Sequence, residues 1–330
     1  MILIDATYIN AGGGLVLLQN LLSSLRGRGT FTVLRDIRVT NLDTCGYQVF
    51  DIPPRESARR KFYETHQARI QKVLCLGNVP PPRALKVPVI TYFHNLVLCT
   101  RYPGESWQLR FNCWLKMQYI RWHQDHTQAF WVQSANVVEH LKSQLSPQTK
   151  IEIKPFYQKR LATPVCDPGR FQRYGYVSEG HQHKNHEALL QAWKLLAARG
   201  LYPELHLTVG ERNKHLREQI AQAQAAGLKI INHGHVPAVK IYQSCGYQIY
   251  PSLLESFGLG LIEAAEAGCA VLAADLPYVH AVVQPWRTFN PESCVDIALT
   301  VEKTLGQTAP ASTVLTTNSG EEICTWLATT

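Results

Sequence analysis

The sequence lacks any apolar run approaching the ~18 uninterrupted positions that a membrane-spanning helix needs. Its opening, Met1-Ile2-Leu3-Ile4-Asp5, lacks a basic start, an apolar stretch of signal length and a small-residue cleavage site, so no secretory leader is expected. No two of its nine cysteines are separated by two residues, and the number is odd. That excludes a zinc knuckle and argues against a disulfide framework. Cys75 and Cys269 sit in apolar strand-like runs, where cysteine acts as a small hydrophobe, so a reduced, cytoplasmic chain is expected. The glycine-rich turn Ala11-Gly12-Gly13-Gly14-Leu15-Val16 fails the Gly-x-Gly-x-x-Gly spacing, and the acidic candidate Asp36 lies past its strand. A nicotinamide-dependent oxidoreductase is disfavoured on both counts. No nucleic-acid-binding module is present, and no nucleic acid partner is expected.

What is present is globular. At 45% apolar and 18% charged residues the chain is neither disordered nor a coiled coil. Its 330 residues exceed one ordinary core, which favours two domains. Charge divides unevenly. Residues 1–155 hold 19 basic and 10 acidic side chains, whereas residues 156–330 hold 14 and 15. The first half is expected to face something anionic.

Strands, glycine turns and helices alternate. Strand-like runs at 2–4, 31–34, 47–52, 73–76, 87–93 and 129–133 are separated by helical stretches, including 56–72 and 106–124. The pattern restarts at Tyr174–Ser178 and continues through Cys269–Ala274. We expect an α/β chain of two Rossmann-like, doubly wound domains facing across a cleft, residues 1–155 and 156–305. The proline-rich stretch 153–168 is the expected junction, and the Thr- and Ser-rich tail 306–330 is unplaced.

The most informative segment runs from Tyr250 to Gly268: Tyr-Pro-Ser-Leu-Leu-Glu255-Ser-Phe257-Gly258-Leu259-Gly-Leu-Ile-Glu263-Ala-Ala-Glu-Ala-Gly. A strand ends at Pro251 and a helix begins near Gly258. Backbone N–H groups at such a start cradle a phosphate, and glycine permits close approach. Glu255 precedes the helix and Glu263 lies within it, flanking the anion position. Spacing alone also fits an amphipathic helix with solvent-facing glutamates.

This segment resembles the signature of retaining GT-B glycosyltransferases of the family 4 type, the glycosyl transferases group 1. Other segments resemble that family in the same order: Gly12-Gly13-Gly14, Thr91-Tyr-Phe-His94-Asn95, Val132-Gln-Ser134, the stretch from Tyr176 through Lys184 to Leu190, Gly234-His-Val236-Pro237, Asp275-Leu-Pro277, and Phe289-Asn-Pro291. The resemblance covers roughly residues 2–305. It implies that Glu263 holds the ribose hydroxyls and that Glu255 lies near the donor sugar. The backbone of Phe257, Gly258 and Leu259 cradles the diphosphate, and Lys184 neutralises it. Gly234 and Val236 contact the base, Gly13 and Gly14 close on the diphosphate, and His94 faces the reaction centre. Ser178 stands where the family often has arginine, and Ala281 where it often has glutamate.

The implied activity is transfer of a sugar from a nucleoside diphosphate sugar to a hydroxyl acceptor, with retention. Sugars or lipid-linked oligosaccharides of cell-surface polysaccharide or glycolipid assembly are the expected acceptors. No metal or cofactor is expected. An epimerase of the same fold and a non-catalytic binder of nucleotide sugars are the alternatives. His181, His183 and His186 are read as a solvated or supporting loop rather than a metal site.

Two basic features point toward a membrane. The stretch Trp107–Trp122 places Trp107, Phe111, Trp114, Leu115, Gln118 and Trp122 along one helix face. Core packing is the expected role of that face, with membrane contact the alternative. The run Arg59-Arg60-Lys61 is the better candidate for peripheral contact with anionic lipid at the inner face of the membrane.

Overall fold

The computed structural model describes residues 1–159 and 167–329 of the chain. Much of the expected junction falls on 160–166, outside the described residues. The alternation resolves into two separate parallel sheets. One compact unit comprises Met1–Arg101, Ser106–Gln158 and Thr317–Thr330; the other comprises Tyr102–Glu105 and Lys159–Thr316.

The first unit opens with β1 (Ile2–Ala6), α1 (Gly12–Ser24), β2 (Phe31–Asp36), β3 (Gln48–Ile52) and α2 (Glu56–His66). It continues with β4 (Lys72–Cys75), β5 (Val89–Phe93), α3 (Trp107–Trp122), β6 (Ala129–Val132), α4 (Ala135–Lys142) and β7 (Ile151–Ile153). The sheet order is β3-β2-β1-β4-β5-β6-β7, all parallel. Alternate side chains on each strand point to opposite faces, so consecutive residues enter different cores. Ile4, Val33 and Leu74 join α1 residues Leu18, Leu21 and Leu22 on one face. Leu3, Leu34 and Val73 join Phe62 and Tyr63 of α2 on the other.

The second unit runs β8 (Arg173–Tyr176), α5 (His186–Ala198), β9 (Glu204–Leu207), α6 (Lys214–Ala225), β10 (Ile230–Asn232), α7 (Ala238–Ser244), β11 (Tyr247–Tyr250), α8 (Leu259–Glu266) and β12 (Ala270–Ala274). Then follow α9 (Pro277–His280), β13 (Val283–Gln284), β14 (Arg287–Phe289), α10 (Cys294–Glu302) and β15 (Thr313–Val314). Its parallel sheet has the order β10-β9-β8-β11-β12-β14, and β13 pairs antiparallel with β15. Both parallel sheets reverse winding beside their first strand, at β1/β4 and at β8/β11, the crevice where such sheets bind ligands.

The unplaced tail forms α11 (Gly320–Ala328), which belongs to the first unit. Ile323, Cys324 and Leu327 are buried in the same core as α1. Arg28 holds Glu321 through two hydrogen bonds of 2.5 and 2.8 Å, and Lys72 donates to the Trp326 carbonyl at 2.5 Å.

Two expectations are corrected here. Arg59 is not a lipid-facing cation. It is 1% exposed, and its Nε donates to Asp5 Oδ2 at 2.8 Å while other N–H groups donate to the carbonyls of Pro80 and Val79. A strand-interior carboxylate and a helix guanidinium thus pair between β1 and α2. The aromatic face of α3 does not pack into a core. Cys113, Met117 and Ile120 do so instead, while Trp107, Phe111, Trp114 and Trp122 are exposed.

Candidate functional site

Of the residues expected to act, Ser178, Lys184, Glu255, Phe257, Gly258 and Leu259 lie beyond the carboxyl ends of β8 and β11. After β11 the chain leaves the sheet through Pro251 and the fully buried Ser252. Ser252 Oγ donates to Glu255 Oε1 at 2.8 Å, and Tyr278 OH donates to the Ser252 carbonyl at 2.8 Å. The turn closes at Gly258, which precedes α8 with φ of 78°, a left-handed conformation that side chains rarely adopt. A Cβ there would also meet Leu261 Cδ1 at 3.0 Å. Phe257 is buried and pins the turn, while Leu259 opens the helix. The N–H groups of the first turn of α8, of which that of Leu261 donates to the Gly258 carbonyl at 2.9 Å, give it an electropositive start.

Lys184 reaches this turn from the loop between β8 and α5. Its Nζ donates to Glu255 Oε1 at 2.5 Å, with both side chains mostly shielded from solvent. Neighbours fix the loop from below. Tyr176 OH donates to the Lys184 carbonyl at 2.8 Å, and the Leu253 N–H donates to the His183 carbonyl at 2.8 Å. Asn185 takes a left-handed φ of 58° and donates through Nδ2 to the carbonyls of Pro251 and Pro291. The phenols of Tyr250 and Tyr278 are pushed well above their ordinary range, by burial first and then by the Glu255 carboxylate. They remain neutral hydroxyls.

Glu263 is half-buried on α8 and accepts from Tyr242 OH at 3.2 Å. Ser178 follows β8; its N–H donates to Thr208 Oγ1 and its hydroxyl donates to the Glu179 carbonyl. It supplies no charge where the related pattern has arginine. Gly234 has φ of 63°, its N–H donates to Asn232 Oδ1, and it leads into half-buried Val236. Charge at the site thus rests on Lys184, Glu255, Glu263 and the α8 terminus.

The histidine loop has structural neighbours. His186 is buried against Tyr176 with ring centroids 4.8 Å apart, and His183 lies against Tyr102 at 5.3 Å. Burial, then the Lys184 charge, pushes His183 down to about 4 and His186 down to about 3. The unfolded chain therefore binds protons first. Stability is complete above the ordinary histidine value near 6.5 and is lost as pH falls toward those values. The thermal midpoint is expected to drop between pH 6.5 and 4, and His186→Phe, a neutral ring against Tyr176, to flatten that dependence. A midpoint constant across this window would contradict the assignment.

In the first unit, His94 follows β5. Its N–H donates to Asn78 Oδ1 at 2.7 Å, and its Nε2 lies 3.0 Å from the Leu76 carbonyl. Asn78 Nδ2, which can only donate, lies 3.3 Å from the same nitrogen, so the carbonyl and the amide favour opposite tautomers. Burial pushes the imidazole down to about 4, which keeps it neutral. Gly14 lies on this ring: a Cβ there would meet His94 Cε1 at 3.1 Å. Gly13 has open space around its Cβ position.

Sequence reasoning singled out both Lys184 and Glu255 but not their contact, nor the support from Tyr176, Ser252, Asn185 and Tyr278. Only Asn185 left a trace, as the polar residue opening a helix after a loop.

The profile of the glycosyl transferases group 1 family matches residues 168–306, which contain this turn, Lys184 and both glutamates. The serotype-specific mannosyltransferase WbdA of Escherichia coli is 32% identical over 132 residues. The match is 37% of this chain but only 16% of the length of that relative. Among solved structures, sucrose-phosphate synthase from Thermosynechococcus elongatus superposes with a TM-score of 0.75 at 18% identity, over 98% of this chain and 94% of that one. Alr3699/HepE of Anabaena, in complex with UDP and glucose, superposes at 0.70 and 13% identity, over 93% and 90%. The segment 168–306 thus matches the glycosyl transferases group 1 family, and the chain shares with these solved structures the GT-B fold of two parallel sheets.

Proposed function

We propose that the chain transfers a sugar from a nucleoside diphosphate sugar to a hydroxyl acceptor, with retention and without a metal, in cell-surface polysaccharide or glycolipid assembly. The observation that carries this reading is the Lys184–Glu255 pair set against the α8 terminus at left-handed Gly258. A cation, exposed N–H groups and a carboxylate within one turn suit a diphosphate joined to a sugar. The relative that carries UDP and glucose, and the one termed a mannosyltransferase, support a nucleotide-sugar donor.

In this reading the backbone at 257–259 and Lys184 bind the diphosphate, and Glu263 binds the ribose hydroxyls. Gly234 and Val236 line the base, Ser178 adds a hydroxyl, and Glu255 lies beside the sugar. Lys184 lets go of Glu255 to meet the diphosphate, so donor binding exchanges one charge-assisted bond for others. The departing diphosphate oxygen takes the acceptor's proton on the face from which it leaves, which gives retention without a protein nucleophile. The protein's share is positioning and charge stabilisation.

The test is a thermal-shift panel of nucleoside diphosphates and their sugars, followed by transfer assays on the best binder. A shift with one nucleotide family and acceptor-dependent loss of donor are expected. Donor turnover without acceptor would indicate an epimerase, and binding without turnover a silent binder. Lys184→Ala is expected to weaken nucleoside diphosphate binding roughly 10- to 150-fold, the worth of a charge-assisted hydrogen bond. His183→Ala is expected to be mild. Calorimetric titration of both variants checks the difference.

A further inference from the structure

The loop between β8 and α5 holds a lysine and a histidine, each resting on a carboxylate. Lys184 rests on Glu255, where both side chains are mostly shielded. His181 rests on Glu179. Its Nε2 lies 3.0 Å from Glu179 Oε2, and the two side chains are 62% and 56% exposed. A single turn joins the two, because the Lys184 N–H donates to the His181 carbonyl at 2.9 Å. The His183 ring stacks on that of His181 with planes 8° apart and centroids 5.7 Å apart. The loop is pressed against the β9–α6 connection at Gly180, where a Cβ would meet Asn213 Oδ1 at 2.8 Å.

Charged and titratable groups surround this pair from several elements. On the loop and the start of α5 stand Lys184, His183 and His186. The turn before α8 brings Glu255, and the turn before α7 brings exposed His235. The Tyr102 phenol meets His183, and the β9–α6 connection presents the neutral Asn213. The Glu179 carboxyl is held below its ordinary range, first by the hydrogen bond with His181, with Lys184 and His235 adding to it. Glu179 therefore stays ionised wherever histidine changes charge. Beside a diphosphate, an ionised carboxylate repels the ligand. A sugar-linked diphosphate carries one negative charge on each phosphate. Lys184 matches one of them, and Ser178 brings no charge for the other.

We propose, resting on the donor reading above, that His181 is a conditional second cation of the donor site: protonated, it cancels Glu179 and donates to the diphosphate. The proton comes from solvent and stays on the ring while the donor is bound. A neutral His181 leaves Glu179 unbalanced, so the loop then attracts through Lys184 and repels through Glu179. The sign follows. An anionic ligand favours the protonated ring, so donor affinity rises as pH falls through the range where histidine titrates. An arginine in this loop would carry its charge at every pH and give no such dependence. Lys184 and His181 thus divide the task, one as a permanent charge and the other as a charge set by the surroundings.

The test is calorimetric titration of the full chain with UDP-glucose and with GDP-mannose at about pH 8 and about pH 6, the two sides of the histidine range. Sugar-linked diphosphates are the probes because their charge is constant there, whereas a terminal phosphate takes up a proton near pH ~6. Wild type is expected to bind the better probe roughly 10-fold more tightly at the lower pH, and to take up a proton from the buffer as it does so. His181→Gln is expected to keep the weaker affinity at both pH values, and His181→Lys the tighter one at both. Glu179→Gln is expected to bind more tightly than wild type at the higher pH, since a repelling charge is gone. Opposite signs for the two halves of one ion pair separate this role from a merely structural one, in which both losses weaken binding. Circular dichroism should match wild type, because both side chains are exposed. If His181→Gln misfolds, His181→Lys and Glu179→Gln carry the test. Wild-type affinity that ignores pH, or a pH difference that survives in His181→Gln, would overturn the proposal and leave the donor reading standing. Wild type that binds neither probe at either pH would overturn the donor reading and the proposal with it.

Discussion

Glu255→Gln is expected to lower the turnover number roughly 100-fold or more, the scale of removing one preorganised electrostatic group, while nucleoside diphosphate affinity stays nearly intact. Positive charge develops on the sugar as its bond to diphosphate breaks, and a carboxylate beside it stabilises that state more than the ground state. The substitution also frees Lys184 from the 2.5 Å contact that holds it in the unliganded protein. Nucleotide binding therefore holds steady or tightens. Glu263→Gln is expected to behave differently. Ribose hydroxyls do not change during transfer, so their binding is uniform and its loss appears in the donor Michaelis constant. Kinetics on both variants, with nucleoside diphosphate binding measured separately, check the division. Equal loss of nucleotide binding in both, or unaltered turnover in Glu255→Gln, would show that the roles are misassigned.

Arg59→Met is expected to cost about 3–5 kcal/mol, because it strands Asp5 beneath α2. Asp5 is 2% exposed and accepts from Arg59 Nε, Tyr63 OH at 2.7 Å and Thr7 Oγ1 at 2.5 Å. Losing the cation leaves a buried carboxylate with only neutral donors, the Tyr63 and Thr7 hydroxyls and the Thr7 N–H. A fall in thermal midpoint of roughly 10 °C is the observable, and Asp5→Asn on the same background should restore most of it. An Arg59→Met protein that melts with wild type would refute the pairing as a structural requirement.

These two variants also show where the sequence was readable. Apolar runs such as 2–4 and the helical stretches between them are local, and they placed the sheets and their covering helices to within a few residues. Glu255, Gly258 and Glu263 lie within one turn and its helix, so they too could be read together. What escaped is non-local. Arg59 looked like part of a lipid-facing basic run because Asp5 stands 54 positions away. Lys184 and Glu255 are 71 apart, so their ion pair has no trace in either segment. On α3 the apolar residues fall into two stripes, and periodicity does not say which one meets the core. The aromatic stripe is the larger, and choosing by size gave the wrong face.

Helix α11 belongs to a unit whose other elements precede residues 159–316 in the chain. During synthesis the strands that Ile323, Cys324 and Leu327 cover emerge first, and the whole second sheet is made before their cover exists. At roughly 5–20 residues per second the nascent first unit waits some 10–30 seconds with that core open. The second unit has all its strands by then and is free to fold ahead of it. Assembly order is thus reversed relative to chain order, and the later-finished unit is the one made first. A ribosome-bound chain stopped before Gly320 would display the α1 side of the sheet as a sticky surface, which makes this interval the point at which holdase chaperones have most to shield.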